Sequence, residues 1–192
     1  APAEKIREML PPGLEADTFN GYAWISLVAF EVKKMTVHSL PPIPYISNFR
    51  EINVRTYVTH NGIEGIYMFS IETDKLIEVL LTRTFIGLPY KKSEINKTPN
   101  RFQSVNKQNN YRLNLSYKPI GWAAKKTELD YWLTERHALY NYHNNTLYRH
   151  DIHHKEWKLS EVAIFIFDLN YQLNTMSLPA NPDKTHFCEK IE

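Results

Sequence analysis

The chain has 192 residues, 43% hydrophobic and 23% charged, and its 23 Lys and Arg against 21 Asp and Glu leave a formal charge of +2. This is globular rather than disordered composition, of a length that fits one domain over 1–192. Balanced charge without like-charge blocks gives no reason to expect nucleic acid, and the longest apolar stretch, VAIFIF at 162–167, is far too short to cross a bilayer.

In chain order, EKIREML makes one short helical piece, stopped by Pro11, Pro12 and Gly13. GYAWISLVAFEV (21–32) is rich in β-branched and aromatic residues and predicts a strand after the Asn20-Gly21 turn signal. LPPIPYI (40–46) is a proline-stiffened connection. FREINVRTYV (49–58) alternates polar and apolar residues at a period of two, and with EGIYMFSIE (64–72) it predicts a hairpin turning at Asn61-Gly62.

The period then changes, and 74–86 predicts a helix with Asp74 as N-cap, ended by Gly87 and Pro89. A second hairpin is expected from RFQSVNK and YRLNLSYK, turning at 108–110. TELDYWLTER (127–136) is a short helix opened by Thr127, with Asp130 in the capping-box place. HALYNYH and TLYRHDI flank Asn144-Asn145 as a third hairpin. EVAIFIFDLN (161–170), apolar on both faces, reads as an interior strand. The fold class is therefore mainly β (α+β), a curled and largely antiparallel sheet or open barrel with a few short helices.

Three constellations could carry chemistry. Glu51, Asn53 and Arg55 recur at i, i+2 and i+4, about 7 Å apart along one strand face. They are either a wet outer surface or a pocket wall close enough to share one small ligand. RTFIGLPYKK (83–92) holds adjacent lysines, whose mutual repulsion favours an uncharged, nucleophilic amine, although a solvated loop gives the same pattern. His143, His150, His153, His154 and Asp151 crowd 143–154, but i and i+3 on a strand face opposite sides, so no metal site is expected. The single cysteine, Cys188, excludes an internal disulfide and fits a reducing, cytoplasmic setting; in its polar tail only His186 is an adjacent base. No secretory leader is legible, and the start at Ala1 without methionine leaves room for an upstream segment.

LPPGLEADTFNGYAWISLVAF, FREINVRTYV, GLPYKK and LTERHALY resemble the YqjF-like family of uncharacterised bacterial proteins along nearly the whole chain. That family is in turn similar, more distantly, to acetoacetate decarboxylase. The echoes are the "LEAD" segment, Glu51, and the arginine, proline, lysine pattern from Arg83 to Lys91. The resemblance implies a cone-shaped β-barrel with helices at its mouth and a largely apolar cavity, faced by Glu51 with Arg83 nearby. It thereby favours the polar row as a pocket wall. In the decarboxylase two lysines directly follow the proline, and the first forms the Schiff base. Here that position is Tyr90, a phenol, which cannot form an imine; Lys91 falls on the second, supporting lysine.

The expected function is a small-molecule enzyme doing acid/base chemistry on a small carboxylic or keto acid without a Schiff-base lysine and without a cofactor. Glu51 would be general acid or base, Tyr90 proton donor or oxyanion anchor, Arg83 or Arg55 the carboxylate clamp, and Asn53 part of the ligand wall. Lys91 could be a nucleophile only with the loop displaced by a residue. The alternatives are a ligand-binding protein that kept the cavity, or a structural role with Glu51 and Arg55 in buried ion pairs. Some of the 12 Tyr and 4 Trp could mark a homo-oligomer contact, or equally be core.

Overall fold

A computed structural model describes residues 1–33, 48–75, 87–122, 125–174 and 176–191. The helix expected over 74–86 lies outside the described residues except for Asp74 and Lys75, and Arg83 and the connection at 40–46 lie outside them entirely. Among the described residues the protein is mainly β, with two helices, α1 (Ala3–Arg7) and α2 (Glu128–Thr134).

The first sheet is centred on β3 (Phe49–His60) and β4 (Ile63–Thr73), the expected hairpin. Asn61 and Gly62 both take positive φ, the geometry that a tight hairpin turn demands. β1 (Glu15–Ala16) and β2 (Ile25–Val32) share the outer edge of β3. The other edge of β4 is shared too, by β5 (Tyr90–Lys92) and β9 (Ala138–His143), both parallel to it. β10 (Thr146–Asp151) completes the sheet as the hairpin partner of β9, turning at Asn144 and Asn145, both with positive φ.

The second sheet runs β14 (Phe187–Cys188), β11 (Leu159–Asn170), β8 (Tyr111–Trp122), β7 (Arg101–Asn106), β6 (Glu94–Thr98). A short ribbon, β12 (Gln172–Leu173) with β13 (Met176–Ser177), follows β11. Ile52 packs with Ile95, Phe102, Leu113 and Tyr117 of the second sheet, and Val54 with Tyr171 and Leu173. Each fully buried side chain of this size contributes about 1.5–3 kcal/mol relative to exposure, which holds the two curled sheets together.

The polar set of β3 is buried as well: Glu51, Asn53, Arg55 and Tyr57 all lie under cover. Tyr57 joins Ile66, Met68, Ile71, Leu88 and Leu133 in a separate cluster beneath α2. Alternation in this strand therefore separates two interiors rather than an interior from water.

One expectation is corrected. β11 is not an interior strand: β14 flanks it only at Leu159 and Ser160, and Phe165 is 67% exposed. The register slips between Ile164 and Ile166, so Phe165 bulges out of the ladder with β8.

Candidate functional site

β5 owes its place to the sequence just before it. Gly87 has φ +74, and a Cβ there would come within 2.6 Å of Nδ1 of His143, so only glycine fits this approach. Pro89 offers its carbonyl to Ile71 N at 3.1 Å, which brings Tyr90 alongside Ile71. Glu51 is in register with Thr73 and Asn53 with Ile71, so Glu51, Asn53 and Tyr90 rise from one face of the sheet.

On that face Tyr90 Oη donates to Glu51 Oε2 at 3.1 Å, and Asn53 Nδ2 lies 3.4 Å from Glu51 Oε1. Glu51 is 6% exposed and Arg55 8%. Arg55 Nη2 reaches the Leu133 carbonyl at 3.4 Å, which Tyr57 Oη also approaches at 2.9 Å, and its guanidinium lies 5.6 Å from the Trp157 ring. No carboxylate meets Arg55 among the described residues, and its Nε has no hydrogen-bond partner. Arg136 is the contrast: equally buried, it holds Asp17 at 2.8 Å and Glu64 at 3.1 Å and caps Trp132 at 4.5 Å. Glu51 and Arg55 do not pair with each other.

Lys91 is on the opposite face, with Glu72 as its register partner. Its Nζ lies 3.3 Å from Tyr111 Oη and 4.7 Å from that ring's centre. Lys92 turns to the Asp74 carbonyl. Of the expected site residues, Glu51, Asn53, Arg55 and Tyr90 are thus brought to one face, Lys91 is not, and Arg83 is outside the described residues.

Sequence reasoning missed a second buried carboxylate. Glu72, 1% exposed, accepts from Ser93 and Tyr171 and, at 3.2 Å, from Ser104. Asn106 Nδ2 supports Ser93 Oγ at 3.0 Å, and Ser70 Oγ lies 3.3 Å from the Tyr171 hydroxyl. Burial, and then the negative charge of Glu72, push the Tyr171 phenol far above its ordinary range. The members come from β4, the residue between β5 and β6, β7 and the segment after β11, so no local spacing signals the network; the only hint was Ser70 and Glu72 recurring two residues apart on one strand.

The histidines disperse. His150 binds Asn141 at 2.7 Å, and His154 instead stacks on His137 at 4.7 Å, with Glu135 beside them. Ligand atoms of these last three lie within 4.8 Å of one another, but Glu135 Oε1 already takes Lys126 Nζ at 2.6 Å and Thr134 Oγ1 at 2.9 Å. Near-parallel stacked rings also direct their in-plane lone pairs side by side rather than toward one ion.

Two curled sheets with few helices define a protein of the acetoacetate decarboxylase-like fold. The chain is similar to an acetoacetate decarboxylase-like enzyme from Sphingomonas wittichii RW1, with a TM-score of 0.57 and 15% identity over 88% of this chain and 74% of that one. It is also similar to the enduracididine biosynthesis enzyme MppR complexed with pyruvate, with a TM-score of 0.51 and 12% identity over 86% and 71%. In sequence it is 38% identical to the uncharacterized protein YqjF of Bacillus subtilis strain 168 over 194 residues, 96% of this chain and 80% of the other. The family model of DUF2071, an uncharacterized conserved protein, matches residues 1–192, and the chain belongs to that family.

Proposed function

We propose that the protein acts on a small carboxylic or keto acid at the Glu51–Tyr90 face, by proton transfer and without an imine. The observation that carries this reading is the hydrogen bond from the half-buried Tyr90 Oη to Oε2 of the buried Glu51, which lies two and four residues from Asn53 and Arg55. Arg55, a buried cation that meets no carboxylate among the described residues, suits the substrate carboxylate, for which a guanidinium offers two parallel donors. The carbonyl oxygen would take the Tyr90 hydroxyl. Glu51 would then remove a proton from the adjacent carbon, the electron pair moving onto the carbonyl oxygen as an enolate held by Tyr90, and reprotonation would complete the reaction. The structural likeness to MppR complexed with pyruvate supports a small keto acid as the ligand class. The likeness to acetoacetate decarboxylase adds Arg83 as a second candidate clamp. Lys91, on the other face, supports the absence of a Schiff base.

A ligand-binding protein without turnover is the second reading. It is favoured by the hydrogen bonds that already occupy both oxygens of Glu51. One series of measurements tests both. Pyruvate and acetoacetate should raise the melting temperature, and Arg55→Met should remove the shift. Loss of the methyl-proton NMR signal of pyruvate by exchange in deuterated water, abolished in Glu51→Gln, identifies the enzyme; binding without exchange leaves the second reading. A lysine adduct after borohydride reduction with acetoacetate would overturn the imine-free mechanism.

A further inference from the structure

Where β5 and β9 share the edge of β4, they leave a gap between Tyr67, paired with Tyr140, and Ile71, paired with Tyr90. A cavity of about 240 Å³ opens at this gap. It is bordered by Phe69, Lys91, Tyr111, Asn141, Gln172 and Leu173. Lys91 and Tyr111 belong to the face opposite Glu51, so this space is not the acid/base face described above.

Lys91 is half-buried, and among the described residues it meets no carboxylate. Its ammonium touches only the Tyr111 hydroxyl at 3.3 Å and that ring's face at 4.7 Å. Tyr111 is itself fixed, because it stacks at 4.0 Å on Tyr171, whose hydroxyl is tied to Glu72. An ammonium has three N–H donors, and one phenol leaves two unassigned. The cavity thus has a positive end that meets no carboxylate among the described residues, apolar sides from Phe69 and Leu173, and amides at Asn141 and Gln172. An apolar cavity of about 150 Å³ admits benzene, so this one has room for a ring and a carboxylate.

We infer that this cavity is a second ligand site, taking a small aromatic carboxylate with its anionic group on Lys91 and its ring against the wall that Phe69 and Leu173 form. The Gln172 amide suits a ring hydroxyl or carbonyl.

Calorimetric titration of the whole chain with 4-hydroxybenzoate tests this. Saturable one-to-one binding is expected, weakened at least about tenfold in Lys91→Met and within about threefold of wild type in Lys91→Arg. Gln172→Trp, at an exposed position on the rim, should block binding while the melting temperature holds. Should Lys91→Met fail to fold, the neutral analogue 4-hydroxybenzyl alcohol replaces it and should bind at least about tenfold more weakly than the acid. Absence of saturable binding, equal binding by Lys91→Met or by the alcohol, or full binding by Gln172→Trp would each overturn the assignment.

Discussion

Tyr90 and Glu51 are hydrogen-bonded although a whole strand, β4, lies between those that carry them. Two strand spacings are about 10 Å, so the phenol and the carboxylate meet above Ile71 and Thr73 by leaning toward each other. A side chain at 90 therefore has reach over the ligand face. In Tyr90→Lys the same position carries a primary amine beside a buried carboxylate. Reduction with borohydride in the presence of acetoacetate should then label residue 90 by mass spectrometry, whereas the wild-type chain should show no adduct at Lys91.

The two buried arginines should respond oppositely to removal. Arg136→Met strands Asp17 and uncovers Tyr57 and Trp132, and should cost about 3 kcal/mol in urea denaturation. Arg55→Met removes a buried cation that no carboxylate among the described residues offsets, so stability should change by less than about 1 kcal/mol, or rise. A large loss in Arg55→Met would return the residue to a structural role.

Tyr171→Phe leaves Glu72 Oε1 short of a donor and should cost about 1.5–3 kcal/mol. It should also change the alkaline limb. Because the folded phenol titrates far above its unfolded value of about 10, its stabilisation is complete below that pH and is lost as pH rises beyond it. The wild-type chain should lose stability above pH about 10 more steeply than Tyr171→Phe, as read from urea midpoints.

On the acid side, Asp130 and His186 pin the C-terminal segment to α2, with Lys184 at 2.6 Å and His186 at 2.7 Å from one carboxylate oxygen. Burial by itself would raise the Asp130 pKa, but hydrogen bonds from Lys184 and Thr127 outweigh it and hold the carboxyl well below its usual range. His186 is lowered by burial, which with the charges of Lys184 and Lys126 outweighs the upward pull of Asp130, so the fold favours the neutral ring. Both contributions are present at neutral pH and fail as pH falls: that of His186 from about 6.5 and that of Asp130 from about 3.9. His186→Gln should flatten the first step and Asp130→Asn the second, in melting temperatures measured from pH 7 to pH 2.

Elements set by local chemistry were legible. Asn61-Gly62, Asn144-Asn145 and the Thr127–Asp130 capping box each encode their turn or helix start within four residues, and all three form. β5 was invisible, since three residues carry no period and its pairing with β4 depends on the Pro89 carbonyl. Apolarity misled in β11: Phe165 and Ile166 look like core, but a slipped register turns them to solvent. The polar row of β3 was readable as a pattern; its burial was not, because cover comes from α2 and Trp157, about 75 to 100 positions later in the chain.

The shortness of β5 also sets how this scaffold can be re-tuned. Strand neighbours look to opposite sides, so a single codon gained or lost between Gly87 and Tyr90 would exchange the occupants of the two compartments. An amine would then stand over Glu51 without any substitution at all. Insertions and deletions just before that three-residue strand, more than point changes, are where this lineage can trade one chemistry for another.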